Sequence, residues 1–305
     1  MQRGIFYAGL AGALWGFVFV VPSLLPDFNP LLLSTGRYIV YGILSALIIL
    51  PKLIPLIQRL TRLDIQQLIW LSLSGNLVYY LLLASAVQLA GVATTSLIIG
   101  TLPVTITLAG RKDQGALSLR QLAWPLLLIM LGMLAVNISA FQQAANQQQP
   151  LHNTVLGILC AFGALFSWTR FAVNNTRYLK LSQFTSSEWS SLWGITTGLL
   201  SVLLLLIAGG LFPSQLLPEL PQSRWLSFFA ISLGLALFSS WLGNLLWNAA
   251  SRRLPITLGG QLIIFETLFA LLYGFVYAAR WPSLTEIIAI ALLISGVLWT
   301  VRKHR

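Results

Sequence analysis

Long apolar blocks, parted by short polar gaps, set the rhythm of this chain. The blocks fall near 4–25, 31–50, 65–89, 92–110, 122–140, 155–173, 188–208, 225–250, 258–278 and 285–301. Each approaches the roughly 20 residues that a helix needs to cross a hydrocarbon layer about 30 Å thick. They are continuously apolar, whereas a membrane strand alternates, so the pattern predicts helices and no barrel. The first block lacks a clear small-residue cleavage site and reads as a retained helix, not as a signal peptide.

Composition sharpens this picture. The 305 residues are 57% hydrophobic and 8% charged, against roughly 45–50% and about 25% in water-soluble domains. So few charges cannot cover a water-facing surface, and the fold class expected is all-α, a polytopic membrane protein. The net charge of +11 does not point to nucleic acid, because the basic residues sit in the gaps. Ten spans bring both termini to one side. That side then holds fourteen Lys and Arg residues, among them Arg59, Arg111, Arg177, Arg252 and Arg302, while the other holds Arg224 and Arg280. The positive-inside rule therefore predicts cytoplasmic termini in a bacterial inner membrane, with the basic loops meeting anionic lipid. "PKLIPLIQRLTRLD" (51–64) reads either as an interfacial segment or as a solvated loop. Cys160 is the single cysteine and lies in an apolar block, so neither an internal disulfide nor a cysteine metal site is expected.

The chain also repeats itself. "GALWG" (12–16) matches "GALFS" (163–167), while "LIIGT" (97–101) matches "LIIFE" (262–266) and "SLRQL" (118–122) matches "SLTEI" (283–287), the last two pairs at one offset of 165 residues. These matches divide the chain into a first five-helix unit (1–141), a Gln-rich outer connector (142–154) carrying a lone loop histidine, His152, and a second unit (155–305). Because five is odd, a second copy enters the membrane from the opposite face. The expected architecture is ten transmembrane helices as two inverted five-helix repeats, whose halves can exchange roles and open a central site to each side in turn. Gly12 with Gly16, and Gly163 with Ser167, are small-residue pairs that let helices approach closely.

The two stretches 97–136 and 262–299, each an apolar run, a short loop, "SL" and a second apolar run, resemble the EamA-type branch of the drug/metabolite transporter superfamily. Arg37 in "STGRYIVYG" (34–42) occupies the place of an arginine common early in helix 2 of that family. The resemblance covers nearly the whole chain and implies a transporter. The sequence departs from the family where Glu266-Thr267 replaces a frequent Glu-Pro, and where the acidic residue before each "SL" is missing. A subfamily's ion-coupling scheme therefore does not carry over.

Polar residues inside the blocks are the candidate site. An ionised carboxylate at a helix centre costs about 2.5–3.5 kcal/mol, and each Leu, Ile or Phe returns about 0.3–0.6 kcal/mol; helix 9 can therefore hold Glu266. Such a residue usually faces a bundle interior and is a candidate for binding an ammonium or carrying a proton, with a packing hydrogen bond as the bland alternative. Helical spacing sets Glu266, Ala270, Tyr273 and Tyr277 on one stripe. Arg37 is a candidate for a substrate carboxylate, for an outer gate on helix carbonyls, or for simple snorkelling. Trp241, Asn244, Asn248 and Ser251 share one face of helix 8, and Asn76 shares a face of helix 3 with Tyr79 or Tyr80. These can bind polar cargo or can merely join helices. Trp15 and Trp168 lie deeper than an interfacial belt and are candidates for stacking on cargo, with core packing the alternative.

The function expected is secondary transport, outward, of small organic metabolites such as amino acids, aromatic ones included, by alternating access. The alternatives are a cationic drug exporter and, in another class, a channel or lipid scramblase. No enzyme is expected, since the scattered acidic residues make no catalytic constellation. Absence of a phosphate-binding Gly-Lys loop speaks against an ATP-driven pump in this chain. No cofactor or metal is expected, apart from a coupling proton on Glu266. The partners expected are the small-molecule substrate and membrane lipid, with no nucleic acid, for a monomer or homodimer.

Overall fold

The computed structural model describes residues 1–138, 151–211 and 218–304, and there is no strand among them. Eight of the described helices are long and apolar enough to cross a membrane, and a ninth apolar helix is shorter. In chain order the segments are α1 (Gln2–Gly16), α2 (Pro30–Ile49), α3 (Arg62–Gly91), α4 (Thr94–Ala109), α5 (Leu119–Val136), α6 (Leu151–Leu181), α7 (Ser186–Leu211), α8 (Gln222–Ser251), α9 (Ile256–Tyr277) and α10 (Leu284–Lys303). Each predicted block falls on one of them. α1 is only 15 residues long, and a 3₁₀ turn over Phe17–Phe19 and a short helix at Val21–Leu24 prolong it. Outward-facing apolar side chains such as Phe6, Trp124, Leu199 and Leu206 are exposed. This is the arrangement of a polytopic protein whose outer solvent is lipid.

The boundaries differ from expectation where tertiary contacts override composition. α6 runs from Leu151 to Leu181, beyond the apolar block at both ends. Its polar last turns persist because they have partners. Asn175 accepts from Trp189 Nε1 at 3.1 Å, Arg177 pairs with Asp113 at 2.9 Å, and Tyr178 Oη donates to Asp64. His152 consequently lies in the first turn of a helix and not in a loop. The Gln-rich connector lies outside the described residues, save 151–154, which open α6. The segment 51–64 forms a 3₁₀ turn and a short helix, Leu53–Arg59, with Leu56 buried and Ile54 and Ile57 exposed. Arg170, in the apolar stretch of α6, sets its guanidinium 5.8 Å from the ring of Trp70.

Between α3 and α4 no loop forms. One residue, Gly91, breaks the helix with φ 81° and ψ 164°, a conformation open almost only to glycine. A Cβ there would meet nothing within 4 Å, so any penalty at this position comes from the backbone alone. Gly91→Ala is expected to lower stability by about 1–3 kcal/mol. Thermal melting in detergent checks it, against Gly274→Ala, where there is also open space but an ordinary helical backbone.

Helix pairing follows a regular plan. α2 packs along α7, α3 along α6, α5 along α10, and α1 against both α8 and α9; α4 meets α9 and α6, α7 meets α3, and α2 meets α8. Glycines set two of these crossings. On α2 and α7, a Cβ on Gly42 would lie 2.9 Å from the Gly198 Cα. On α1, a Cβ on Gly12 would lie 2.6 Å from Phe265 Cβ and 2.8 Å from Glu266 N, and one on Gly16 would lie 2.9 Å from Ala270 N. The first small-residue pair therefore seats α1 directly on the α9 backbone. The second does not mirror it, because Gly163 faces Leu82 and Ser167 donates to Ser74 O at 2.9 Å, both on α3.

The two ends of the bundle are tied differently. At one end, Gly4 lies against Leu254, and His304 joins Thr257 at 3.1 Å, so both termini sit beside the α8–α9 turn. The same end carries reciprocal bonds between Arg59 and Gln183, at 3.0 and 3.1 Å, and the Arg177–Asp113 pair. At the other end Arg224 pairs with Asp27 at 2.6 Å, beside a stack of Phe28 on Phe228 with centroids 4.7 Å apart.

Candidate functional site

Glu266 sits where α9 changes step. The helix tightens at Ile263, whose carbonyl accepts from Glu266 N at 2.9 Å, and a second segment, Ile264–Tyr277, begins with the carboxylate in its first turn. The positive end of a helical segment favours a negative charge there. α1 presses on the backbone at Phe265 and Glu266. Glu266 is half-buried, and among the described residues no side chain hydrogen-bonds or ion-pairs with it. Tyr79 of α3 and Arg37 of α2 lie within its electrostatic reach.

Arg37 lies within similar reach of Tyr38, Tyr41 and Tyr80. Its Nε donates to Ser240 Oγ at 2.8 Å, on α8, and not to helix carbonyls, so the expected carbonyl-bound gate is not what forms. Arg37, Tyr79, Tyr80 and Glu266, on α2, α3 and α9, are thus linked as electrostatic neighbours. All four are half-buried inside a bundle whose neighbouring side chains are closed off. Trp168 of α6 borders this group at Tyr79. It is buried edge-on to Phe171, its centroid 5.6 Å away, and stands 6.3 Å from the Tyr79 ring.

Other expected site residues are committed elsewhere. Tyr273 donates to Ala13 O at 3.0 Å and stacks on Phe17 at 4.0 Å, so it fastens α9 to α1 and does not extend the Glu266 stripe. Tyr277, further along, is exposed at the helix end. A stripe drawn on one helix cannot foresee that a neighbouring helix will claim its far end. Trp15 donates to Ser239 O at 3.0 Å and packs on Trp247 at 5.2 Å, as core.

The polar face of α8 is mostly interhelical glue. Trp241 Nε1 donates to Ser191 Oγ at 2.9 Å on α7, and Asn244 Nδ2 donates to Tyr41 Oη at 3.3 Å. Tyr41 in turn donates to Ser190 O at 2.6 Å. Asn248 is fully buried, accepting from Asn175 Nδ2 at 2.9 Å in a chain that ends on Trp189. Asn76 likewise donates to Thr197 Oγ1 at 3.1 Å, joining α3 to α7. A buried amide bonded to a neighbouring helix gains about 1 kcal/mol there and is not exposed to cargo.

Sequence reasoning missed Tyr38, Tyr41 and Ser240. For Tyr41 a signal existed, since it lies one helical turn beyond Arg37 on the same face. Ser240 gave none, because serines are common in membrane helices. Both α3 and α8 carry a stretch of π-helix, at Leu73–Leu77 and Leu235–Leu242, and these stretches hold Asn76, Ser240 and Trp241. Such bulges redirect side chains and recur at functional sites.

Comparison with known proteins bears on this geometry. The sequence model of the EamA-like transporter family matches residues 2–111. "Inner membrane protein YtfF" of Escherichia coli (strain K12) is 35% identical over 311 aligned residues, covering 99% of this chain and 96% of that protein. A solved structure titled "Crystal structure of protein" superposes with a TM-score of 0.74 over 98% of both chains at 19% identity, which makes the fold a shared one. With the family model over 2–111 and the Escherichia coli relative 35% identical along nearly its full length, the chain belongs to the EamA-like transporter family, the branch of the drug/metabolite transporter superfamily that its sequence resembles.

Proposed function

We propose that this protein is a secondary transporter of the inner membrane that exports small organic metabolites by alternating access, with amino acids and related amphiphiles, aromatic ones included, as its substrates. The observation that carries the reading is Glu266, a half-buried carboxylate inside the bundle with no hydrogen-bond partner among the described residues. Holding such a group in an apolar helix costs about 2.5–3.5 kcal/mol when ionised. That cost is tolerated where a mobile partner, an ammonium or a proton, completes the site in turn.

Several features support alternating access. The helix pairings keep their form when every helix number is advanced by five: α3–α6 becomes α8–α1, α6–α4 becomes α1–α9, and α2–α7, α4–α9 and α5–α10 map onto themselves. The 165-residue offset found in the sequence carries the π stretch of α3 into that of α8, and the Ser118 capping box of α5 onto the Ser283 box of α10. These relations are those of a duplicated five-helix unit. The basic residues gathered at the end that holds both termini support a cytoplasmic placing of that end.

Tyr79, Tyr80 and Trp168 suit an amphiphilic solute with an aromatic or aliphatic part. A lone arginine is too little charge for sugar phosphates, which usually draw several cations, and its presence beside Glu266 disfavours a site built for cationic drugs alone. Ligand-dependent melting of the purified protein tests the reading, because a compound that prefers the folded state raises its stability. Amino acids are expected to raise the midpoint while sugar phosphates leave it unchanged. Stabilisation by lipophilic cations alone would replace this reading with drug export.

A further inference from the structure

Arg37 is held by one atom. Its Nε donates to Ser240 Oγ at 2.8 Å, and its terminal nitrogens make no hydrogen bond or ion pair among the described residues. The Tyr38 ring lies 5.3 Å from the guanidinium carbon and backs it on one side. Ser240 itself is 1% exposed and belongs to the π stretch of α8. Its position is thus set by the helix backbone and not by solvent.

A guanidinium has two edges that can grip a carboxylate with paired N–H bonds, the side edge through Nε and the end formed by both terminal nitrogens. Ser240 occupies Nε, which removes the side edge and leaves the end fork unengaged among the described residues. A lysine there would carry the charge without the fork. Glu266 lies within electrostatic reach of Arg37, yet the two form no ion pair. Two opposite charges that lie near each other inside the bundle without pairing fit a ligand carrying the complementary pair.

We propose that Arg37 is the carboxylate-binding fork of the substrate site and that Ser240 is the residue that positions it, so that the substrate class is a zwitterion with one carboxylate, its ammonium toward Glu266. This rests on the transport reading above and narrows it. A cation lacking a carboxylate would leave the Arg37 fork empty.

The test uses the full-length purified protein and the twenty natural amino acids, each compared with its own carboxamide in melting titrations. Loss of a charged bidentate contact is expected to weaken the carboxamide of any stabilising amino acid about tenfold or more. Ser240→Ala is expected to raise the half-stabilising concentration of the free acid about fivefold, a fraction of that same contact, and to leave that of the carboxamide unchanged. Ser240→Thr, which keeps the hydroxyl, restores wild-type behaviour. In proteoliposome uptake the half-saturation shifts in Ser240→Ala while the maximal rate stays, a split that a merely structural serine would not produce. Acid and carboxamide binding alike overturns the proposal while the transport reading stands, as does Ser240→Ala behaving like wild type. Should Ser240→Ala not fold, the acid and carboxamide comparison on wild type decides alone. If no amino acid stabilises the wild-type protein, the substrate reading itself falls and this proposal falls with it.

Discussion

Glu266→Gln is expected to abolish the pH dependence of transport and to lower its initial rate about tenfold or more, the scale of one lost charged hydrogen bond. Glutamine keeps the shape of the acid but holds it permanently in a neutral form, so it can neither release a proton nor meet an ammonium with full charge. The protein still inserts, because removing a charge from α9 lightens the insertion cost of that helix. Folding should also survive. No hydrogen-bond partner among the described residues depends on the carboxylate, and the close α1 contact there is to backbone atoms. Initial uptake rates in proteoliposomes, measured across a range of external pH for both proteins, check this. A variant that keeps the wild-type rate and pH profile would leave Glu266 a packing residue.

The second large effect is expected at Gly12. Its Cβ would stand 2.6 Å from Phe265 Cβ and 2.8 Å from the Glu266 nitrogen, and the second of these is backbone that cannot step aside alone. Overpacking against yielding side chains costs about 1–3 kcal/mol; here α1 must leave α9, so Gly12→Leu is expected to exceed that range and to prevent recovery of folded protein. Gly12→Ala should melt clearly below wild type. Gly9→Ala, one turn earlier, meets its nearest atom only at 4.0 Å and should be neutral. Fluorescence-detected size exclusion after heating separates the three. Equal melting of Gly12→Ala and Gly9→Ala would mean that α1 does not bear on α9 as described.

How far the sequence foretold this molecule depends on range. Apolar block length is a local property, and it placed each of α1 to α10. The Gly12–Gly16 pair was visible because small residues one turn apart already define a smooth face. What that face would touch was not visible, and the Gly163–Ser167 pair went to α3 where symmetry alone suggested α4. Gly91 looked like part of a loop, since a positive φ cannot be read from an apolar run.

The site was legible only in its charges. Glu266 and Arg37 stood out because any charge in an apolar helix demands a reason, and the two lie within electrostatic reach of each other. Neutral polar residues gave a weaker guide. Asn248 and Trp241 lie on a polar face whose spacing fits cargo binding and helix joining equally, and Asn175 and Ser191 take them up from other helices. Tyr273 went to Ala13 of α1 in the same way. Partners set by the packing of distant segments carry no mark in the periodicity of one helix. Ser240 shows the converse, an unremarkable residue given a specific position because a π turn brings it to Arg37.

The central claim is that one pocket opens to each side in turn and never to both. Counterflow tests it directly. Proteoliposomes holding the protein are loaded with an unlabelled amino acid that stabilises it, then diluted into a trace of the labelled form. The account predicts that label transiently accumulates inside above its equilibrium level, because each exit of unlabelled solute returns a site that can carry label inward. A monotonic approach to equilibrium, indifferent to the unlabelled load, would contradict it and leave a passive pore.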